Sequence, residues 1–305
     1  MSYKVEPVIK QVCSSIGEGP HWDEASQTLL YVDIMTGDVH RWNSVTKEDT
    51  KLHVADEFVS LIVPCEKGGF VVSTTRSLAH LDWESNQMTV WAEVEQDMPT
   101  RFNDGKCDTQ GRLWAGTMGL EKKAVGELPP KMGSLYSLNC ERSVKKHVDK
   151  IDLSNGLAWT SDDKTMFFVD SIPRKVYAFD FDAQAGEITN QRTAIDFSKG
   201  TPSDLGCPDG MTIDTEGKLW IASFFVGKVF RFDPETGSLL QEIKFPTSRT
   251  TSVTWGGVSL DDLYVTTSAY GFSEEQIRTT EALAGSVFRV TGLGCRGRPA
   301  NSYQG

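Results

Sequence analysis

Glu18, Ser60, Asn103, Asn155, Asp209 and Ser252 stand 13, 10, 11, 13, 11 and 12 residues ahead of the aromatics Tyr31, Phe70, Trp114, Phe168, Trp220 and Tyr264. All six carry oxygen, as carboxylate, carboxamide or hydroxyl, and none is Cys or His. Gathered around one point, such a set suits a hard divalent cation. Calcium and magnesium take oxygen ligands and manganese tolerates them, whereas zinc ordinarily favours nitrogen or sulfur. A divalent ion with open positions polarises a carbonyl and acidifies water. Glu18 and Asp209 are the carboxylates of the set, and a positioned carboxylate can serve as a general base. Arg101 lies two residues before Asn103, on the same face if the segment is extended. Its planar fork could clamp a carboxylate or several hydroxyls, or simply bridge to a neighbouring acid. Asn, Asp and Gly are ordinary turn residues, which accounts for any single position. It does not account for Glu, Asn or Asp standing shortly before Gly19, Gly105, Gly156 and Gly210 at a near-constant offset.

The elements that must position these groups repeat. The aromatic anchors are separated by 39, 44, 54, 52 and 44 residues, the length of a four-stranded blade with variable loops. One unit reads strand by strand: PDGMTID, the turn TEGK, LWIAS, GKVFRFD, the turn DPETG, and LLQEIKF. Period-two alternation bounded by Gly, Asp and Pro clusters marks each strand. The first unit, from GPHWDEASQTLLYVD onward, copies it. Six such units predict an all-β fold, a six-bladed β-propeller of four-stranded antiparallel blades, spanning residues 1–305 as one domain. VEPVIKQVC near the start and GSVFRVTGL near the end read as strands that share the last blade and close the ring. A β-sandwich explains the strand content but not six aligned aromatics at blade-length spacing. The best helical segment, EEQIRTTEALAG (274–285), fits an insertion between blade strands. In a propeller the first strand of each blade lines the central channel, so the six oxygen-bearing residues would meet at one mouth.

Composition narrows the chemistry. A net charge of −11 argues against nucleic acid or an anionic membrane as partner. The N-terminal segment lacks the apolar run of a signal peptide, and no stretch approaches membrane-spanning length. Cys13, Cys65, Cys107, Cys140, Cys207 and Cys295 are scattered, with no CxxC pair, and read as free thiols of a cytoplasmic protein. FDFDAQAGEITNQ (179–191) starts like a calcium loop at Asp180 and Asp182. It has Ala185 where the sharp turn needs Gly and Gln191 where the closing carboxylate belongs. No G-x-S-x-G elbow occurs, and His21, the histidine nearest the mouth, reads as a structural strand residue.

GEGPHW (17–22), RFNDGKCDTQGRLWAGTM (101–118), SNGLAW (154–159), PDGMTIDTEGKLWIA (208–222), LYVTTS (263–268) and GSVFRVTGLGCRG (285–297) resemble the regucalcin family. That family, also called senescence marker protein, includes gluconolactonases and insect luciferin-regenerating enzymes. The resemblance covers essentially the whole chain. It implies a six-bladed propeller with one divalent metal ion (Ca, Zn, Mn or Mg) held by Glu18, Asn155 and Asp209, and with Asp209 as the catalytic base. It implies sugar-binding roles for Arg101, Asn103 and Glu121, the last in an acidic lid loop over 119–132. The implied reaction is hydrolysis of an aldonolactone by a single chain. A calcium-binding regulatory protein and a hydrolase of a heterocyclic nitrile are the alternatives. The second would need a more apolar mouth, for which Phe224 and Phe225 are candidates. SDLGC (203–207), an extra stretch before Pro208, could reshape that mouth.

Overall fold

The computed structural model describes residues 3–54, 57–121, 127–199 and 201–305. Six antiparallel sheets of four strands form the blades of a β-propeller. The first blade runs Gly17–Asp23, Thr28–Asp33, Asp38–Asn43 and Asp49–His53. The fifth, the unit read above, runs Cys207–Ile213, Leu219–Phe224, Lys228–Asp233 and Ser238–Lys244. The sixth contributes only three strands in sequence, Thr250–Gly256, Asp262–Thr267 and Val287–Thr291, and the N-terminal strand Lys4–Ile9 pairs with the last of these. Arg289 ties the seam by bonding Glu6 from the neighbouring strand. Pro7 is accommodated because its strand is the outer edge, where one face of the ladder needs no donor.

The core lies between blades rather than at the centre. Six apolar clusters occupy the six blade–blade interfaces. Within the strand Leu219–Phe224, Leu219 and Ile221 pack toward the fourth blade, while Trp220 and Ala222 pack toward the sixth. Alternation therefore buries both faces, which is why the second strands read as near-continuous apolar runs. Tyr31, Trp114, Phe168, Trp220 and Tyr264 are all fully buried in these seams, and Phe70, at the start of its strand, is partly buried against Trp83. An aromatic burying roughly 150–250 Å² contributes about 4–6 kcal/mol before entropy. The anchors thus hold each blade at a fixed depth in the ring.

The third and fifth blades share a further lock, encoded in DTQGRLW and DTEGKLW. Asp214 Oδ2 accepts from Trp220 Nε1 at 2.9 Å and from Arg231 Nε at 2.8 Å. Its Oδ1 accepts from the turn amides of Glu216 and Lys218, each at 2.9 Å. Asp108 repeats the arrangement with Trp114 Nε1 at 2.9 Å and Arg112 Nε at 2.8 Å. One buried carboxylate thereby shapes the turn and orients the indole of the next strand.

The helix expected over 274–285 is only Glu274–Arg278, started by a capping box between Ser273 and Gln276. It stops early because Glu281 is drawn away. Its carboxylate accepts from Thr247 Oγ1 at 2.7 Å and from Ser248 N at 3.0 Å. As expected, it is an insertion, between Asp262–Thr267 and Val287–Thr291. After the last strand the chain crosses the end of the channel opposite Arg101. It bonds in turn to Leu260, Thr215, Trp159, Cys107 and Pro64. All six cysteines are free thiols. Among the described residues no helix is long and apolar enough to cross a membrane.

Replacing Asp214 by Ala leaves the Trp220 indole and the Arg231 guanidinium without their acceptor. Urea unfolding should register a loss of about 3 kcal/mol, with Asp214→Asn losing less. An unchanged midpoint for Asp214→Ala would remove the lock from the account of blade stability.

Candidate functional site

The innermost strand of every blade is bulged at the place the sequence marked. Register shifts fall between Glu18 and His21, Val59 and Leu61, Phe102 and Gly105, Ser154 and Leu157, Pro208 and Met211, and Thr250 and Val253. A bulge lifts its extra residue out of the ladder and re-aims the side chain. The glycines within or beside the bulges then let adjacent inner strands close up. A Cβ at Gly156 would stand 2.4 Å from Met211 N, and one at Gly210 would stand 1.9 Å from Ser252 Oγ.

Glu18, Arg101, Asn103, Glu121, Asn155 and Asp209 line one cavity with about 650 Å³ of empty space, part of it open to solvent. A hydrogen-bond relay sets the amides on its floor. Arg101 Nη1 donates to Asn103 Oδ1 at 2.8 Å and to Phe102 O at 2.9 Å. Asn103 Nδ2 donates to Ser154 O at 2.8 Å and to Asn155 Oδ1 at 3.1 Å. Because Ser154 O can only accept, it fixes which end of the Asn103 amide is nitrogen. Asn155 Nδ2 in turn donates to Ser171 Oγ at 2.8 Å, and that hydroxyl donates to Pro208 O at 2.6 Å. The Asn155 carbonyl oxygen keeps a second lone pair for a ligand.

Three carboxylates crowd the channel. Burial, then the charge of Asp104, pushes Glu18 up to about 8. Burial and the charges of Glu18 and Asp104 push Asp209 up, and burial pushes Asp104 up. Beyond them burial pulls the Lys106 ammonium down, while Asp104 and Glu18 favour its charge. Its Nζ donates to Met211 O at 2.7 Å. Carboxylates raised by burial and mutual repulsion are in the condition that a bound cation relieves. Among the described residues no three Asp, Glu, His or Cys side chains converge as a ligand cluster. The set that fits a hard divalent cation has two carboxylates and an amide: Glu18, Asp209 and Asn155.

The family model described as the SMP-30/Gluconolactonase/LRE-like region matches residues 16–269. The chain belongs to this family. It is 43% identical to regucalcin of Danio rerio over 305 residues, all of this chain and 99% of that one. A solved luciferin-regenerating enzyme superposes with a TM-score of 0.90 at 36% identity, covering 99% of this chain and 100% of the other. A calcium-binding protein, regucalcin, from Agrobacterium tumefaciens superposes with a TM-score of 0.88 at 25% identity, covering 99% and 98%.

Within this SMP-30/gluconolactonase-type channel, the ring of six oxygen-bearing residues resolves into two groups. Glu18, Asn103, Asn155 and Asp209 reach the cavity. Ser60 instead donates to Phe102 O at 2.7 Å, holding two blades together, and Ser252 hydrogen-bonds the Glu18 carboxylate from outside the cavity lining. Arg101 does not take the plain surface salt bridge. It is buried over the Phe58 ring at 5.4 Å, with its value lowered to about 10 by that burial, while Glu121 and Glu18 attract it. Glu121 sits at the rim, hydrogen-bonded to Tyr270, with Oε2 buried and unpartnered. Of the expected lid loop, residues 122–126 lie outside the described residues. His21 is buried and held neutral, at about 4, as suits a structural residue.

Asp104, buried beside Asn103, is an acidic neighbour whose charge bears on Glu18 and Asp209 and to which the sequence assigns no role. The only available signal was its place beside Asn103, ahead of Gly105. Beside Glu121 the rim carries the apolar groups Leu153, Ile172, Phe224 and Phe225, while Met118 and Pro208 line the cavity from buried positions. Cys207, the end of the extra stretch before Pro208, also lines the cavity. Phe225 has φ +80°, a left-handed backbone that costs a bulky residue on the order of 1–3 kcal/mol.

Because the Glu18 value rises from 4.5 to about 8 on folding, its stabilisation is full below 4.5 and is lost as pH climbs through about 8. His21 and His147, lowered by burial from 6.5 to about 4, oppose this only below pH 6.5. Chelator-treated protein should therefore lose stability from pH 6.5 to 8, at up to about 1 kcal/mol per pH unit. Scanning calorimetry of Glu18→Gln should show a flatter slope. Stability that rises across that window in the parent chain would contradict the assigned crowding.

Proposed function

We propose that the protein is a divalent-metal-dependent lactonase acting on aldonolactones such as gluconolactone. The observation that carries this reading is the meeting of Glu18, Asn155 and Asp209 with Arg101 and Asn103 in one cavity. Glu18, Asn155 and Asp209 would hold the ion, which supplies Lewis-acid polarisation of a carbonyl. Arg101 and Asn103, already oriented by each other, and the unpartnered oxygen of Glu121 hold substrate hydroxyls. Asp209, whose proton affinity is raised by burial and by Glu18, accepts a proton as the oxygen of water bonds to the carbonyl carbon. The ring C–O bond breaks, and Asp209 returns the proton to the departing oxygen, leaving the hydroxy acid. The family's gluconolactonase membership supports the reaction class. Six unbridged thiols support a reducing, intracellular address.

The oxygen donor set also favours a second reading, a calcium-binding regulatory role, in line with the calcium-binding description of the Agrobacterium regucalcin. The two separate in a proton-release assay with D-glucono-1,5-lactone, run on chelator-stripped protein given each divalent metal in turn. Turnover should vanish on stripping and return with metal. Asp209→Ala should lower kcat about 10²–10⁴-fold with unchanged circular dichroism. Tight metal binding by calorimetry without turnover of any aldonolactone would overturn the lactonase and favour the regulatory role.

A further inference from the structure

We infer that the lactone this site is built for carries an apolar, ring-sized substituent, seated on Phe225 at the rim; the inference rests on the lactonase reading above. The cavity is divided by chemistry. Buried Glu18, Asn103 and Asn155 form its polar part, while Leu153, Ile172, Phe224 and Phe225 form a less buried apolar side with the Glu121 carboxylate at its edge. A sugar lactone, with hydroxyl or hydroxymethyl groups on every ring carbon but the carbonyl, would satisfy the polar part. Hydroxyls directed toward Leu153, Ile172, Phe224 and Phe225 rather than Glu121 would meet side chains that offer no hydrogen bond, which is costly.

Phe225 and Ile172 are 50% and 44% exposed, large apolar groups left uncovered at the mouth. Ordinary blade packing does not explain the two phenylalanines, since neither belongs to the clusters that fill the seams beside the fifth blade. Phe224 is braced from behind, with the Arg249 guanidinium 5.7 Å from its ring centroid and its backbone bridged to Arg249. Phe225 meets Phe224 edge-on, at 4.7 Å between centroids and 86° between planes. The second ring is thus held upright by the first, with much of its surface turned to solvent. The backbone that presents it has φ +80°, where glycine would be comfortable and phenylalanine is strained. A strained, half-exposed aromatic in a cavity wall is the arrangement expected of a ligand clamp. A flat apolar group laid against Phe225 and Ile172 would leave the lactone carbonyl free to reach Asn155 and Asp209.

The test compares δ-phenyl-δ-valerolactone with unsubstituted δ-valerolactone and D-glucono-1,5-lactone on metal-loaded protein. The lactam analogue 6-phenylpiperidin-2-one, titrated calorimetrically, serves as a non-hydrolysed ligand. The phenyl lactone should exceed the unsubstituted one in kcat/KM by about tenfold, with gluconolactone turnover reporting on the hydroxyl-binding side of the site. Phe225→Gly relieves the backbone, so it is expected to fold. It should cut the phenyl-to-unsubstituted ratio by about tenfold, chiefly through KM, and weaken the lactam similarly. A structural effect would lower all lactones alike and leave the ratio in place. Gluconolactone turnover with a phenyl-to-unsubstituted ratio near one that Phe225→Gly does not move overturns the inference and leaves the lactonase standing. No turnover of any lactone, with lactam binding still weakened by Phe225→Gly, keeps the apolar seat and removes the lactonase. No turnover and no lactam binding removes both.

Discussion

Everything at the channel mouth depends on one local irregularity repeated in every blade. A regular strand sends alternate side chains to its two faces, and both faces of these strands are already filled by the seams between blades. Leaving the ladder at a bulge, or standing beside one as Glu18 and Arg101 do, turns a side chain toward the channel. The bulges at Asn103, Asn155 and Asp209 do this in three blades, and the register shift that follows Glu18 does so in a fourth. The aromatic anchors fix the depth of each blade, so the bulged residues arrive at one level. Glycines at 156 and 210 remove the Cβ atoms that would otherwise keep neighbouring inner strands apart.

The electrostatics follow from that geometry. Acidic groups contributed by the first, third and fifth blades share a space with little water, so each raises the proton affinity of the others. Lys106 stands beyond them, anchored on Met211 O, with burial disfavouring its charge and Asp104 and Glu18 favouring it. The three carboxylates outnumber the ammonium, and a bound divalent cation would favour their ionised forms. The neutral amides of Asn103 and Asn155 add oxygen without adding charge, and their hydrogen-bond relay removes the freedom to turn away. The two amides are thereby held in one orientation, while the Glu121 Oε2 oxygen is left without a partner.

The propeller was legible because its signals are periodic: anchors at blade-length steps, turns rich in Asp and Gly, and oxygen-bearing residues at a constant offset. Counting one residue per blade could not reveal that a bulge delivers two. Asp104 therefore stayed hidden behind Asn103, although both leave the ladder opposite the same partner strand. The same counting overstated Ser60 and Ser252, since a hydroxyl at the right offset can turn back to a backbone carbonyl or support a carboxylate instead of facing the cavity. The helix over 274–285 was overextended because the pull of Glu281 toward Thr247 is a contact between distant segments, invisible to local periodicity. Phe225 was noticed for its type, but its unusual backbone has no mark in the sequence.

The closure of the ring by Lys4–Ile9 against Val287–Thr291 has a consequence for how the protein is made. Glu18 sits one blade from that seam, and the neighbouring sixth blade supplies Ser252, which bonds the Glu18 carboxylate, and Thr251, which bonds Gly17 O. During synthesis the first carboxylate of the site emerges from the ribosome long before the strands that immobilise it. Until Val287–Thr291 follows, the two ends of the ring have no partner, and the inner strands are free to splay. The acidic mouth of the channel is therefore among the last features to mature. A chain interrupted even a few dozen residues early would have made nearly every side chain of the site and still lack the enclosure that gives them their chemistry.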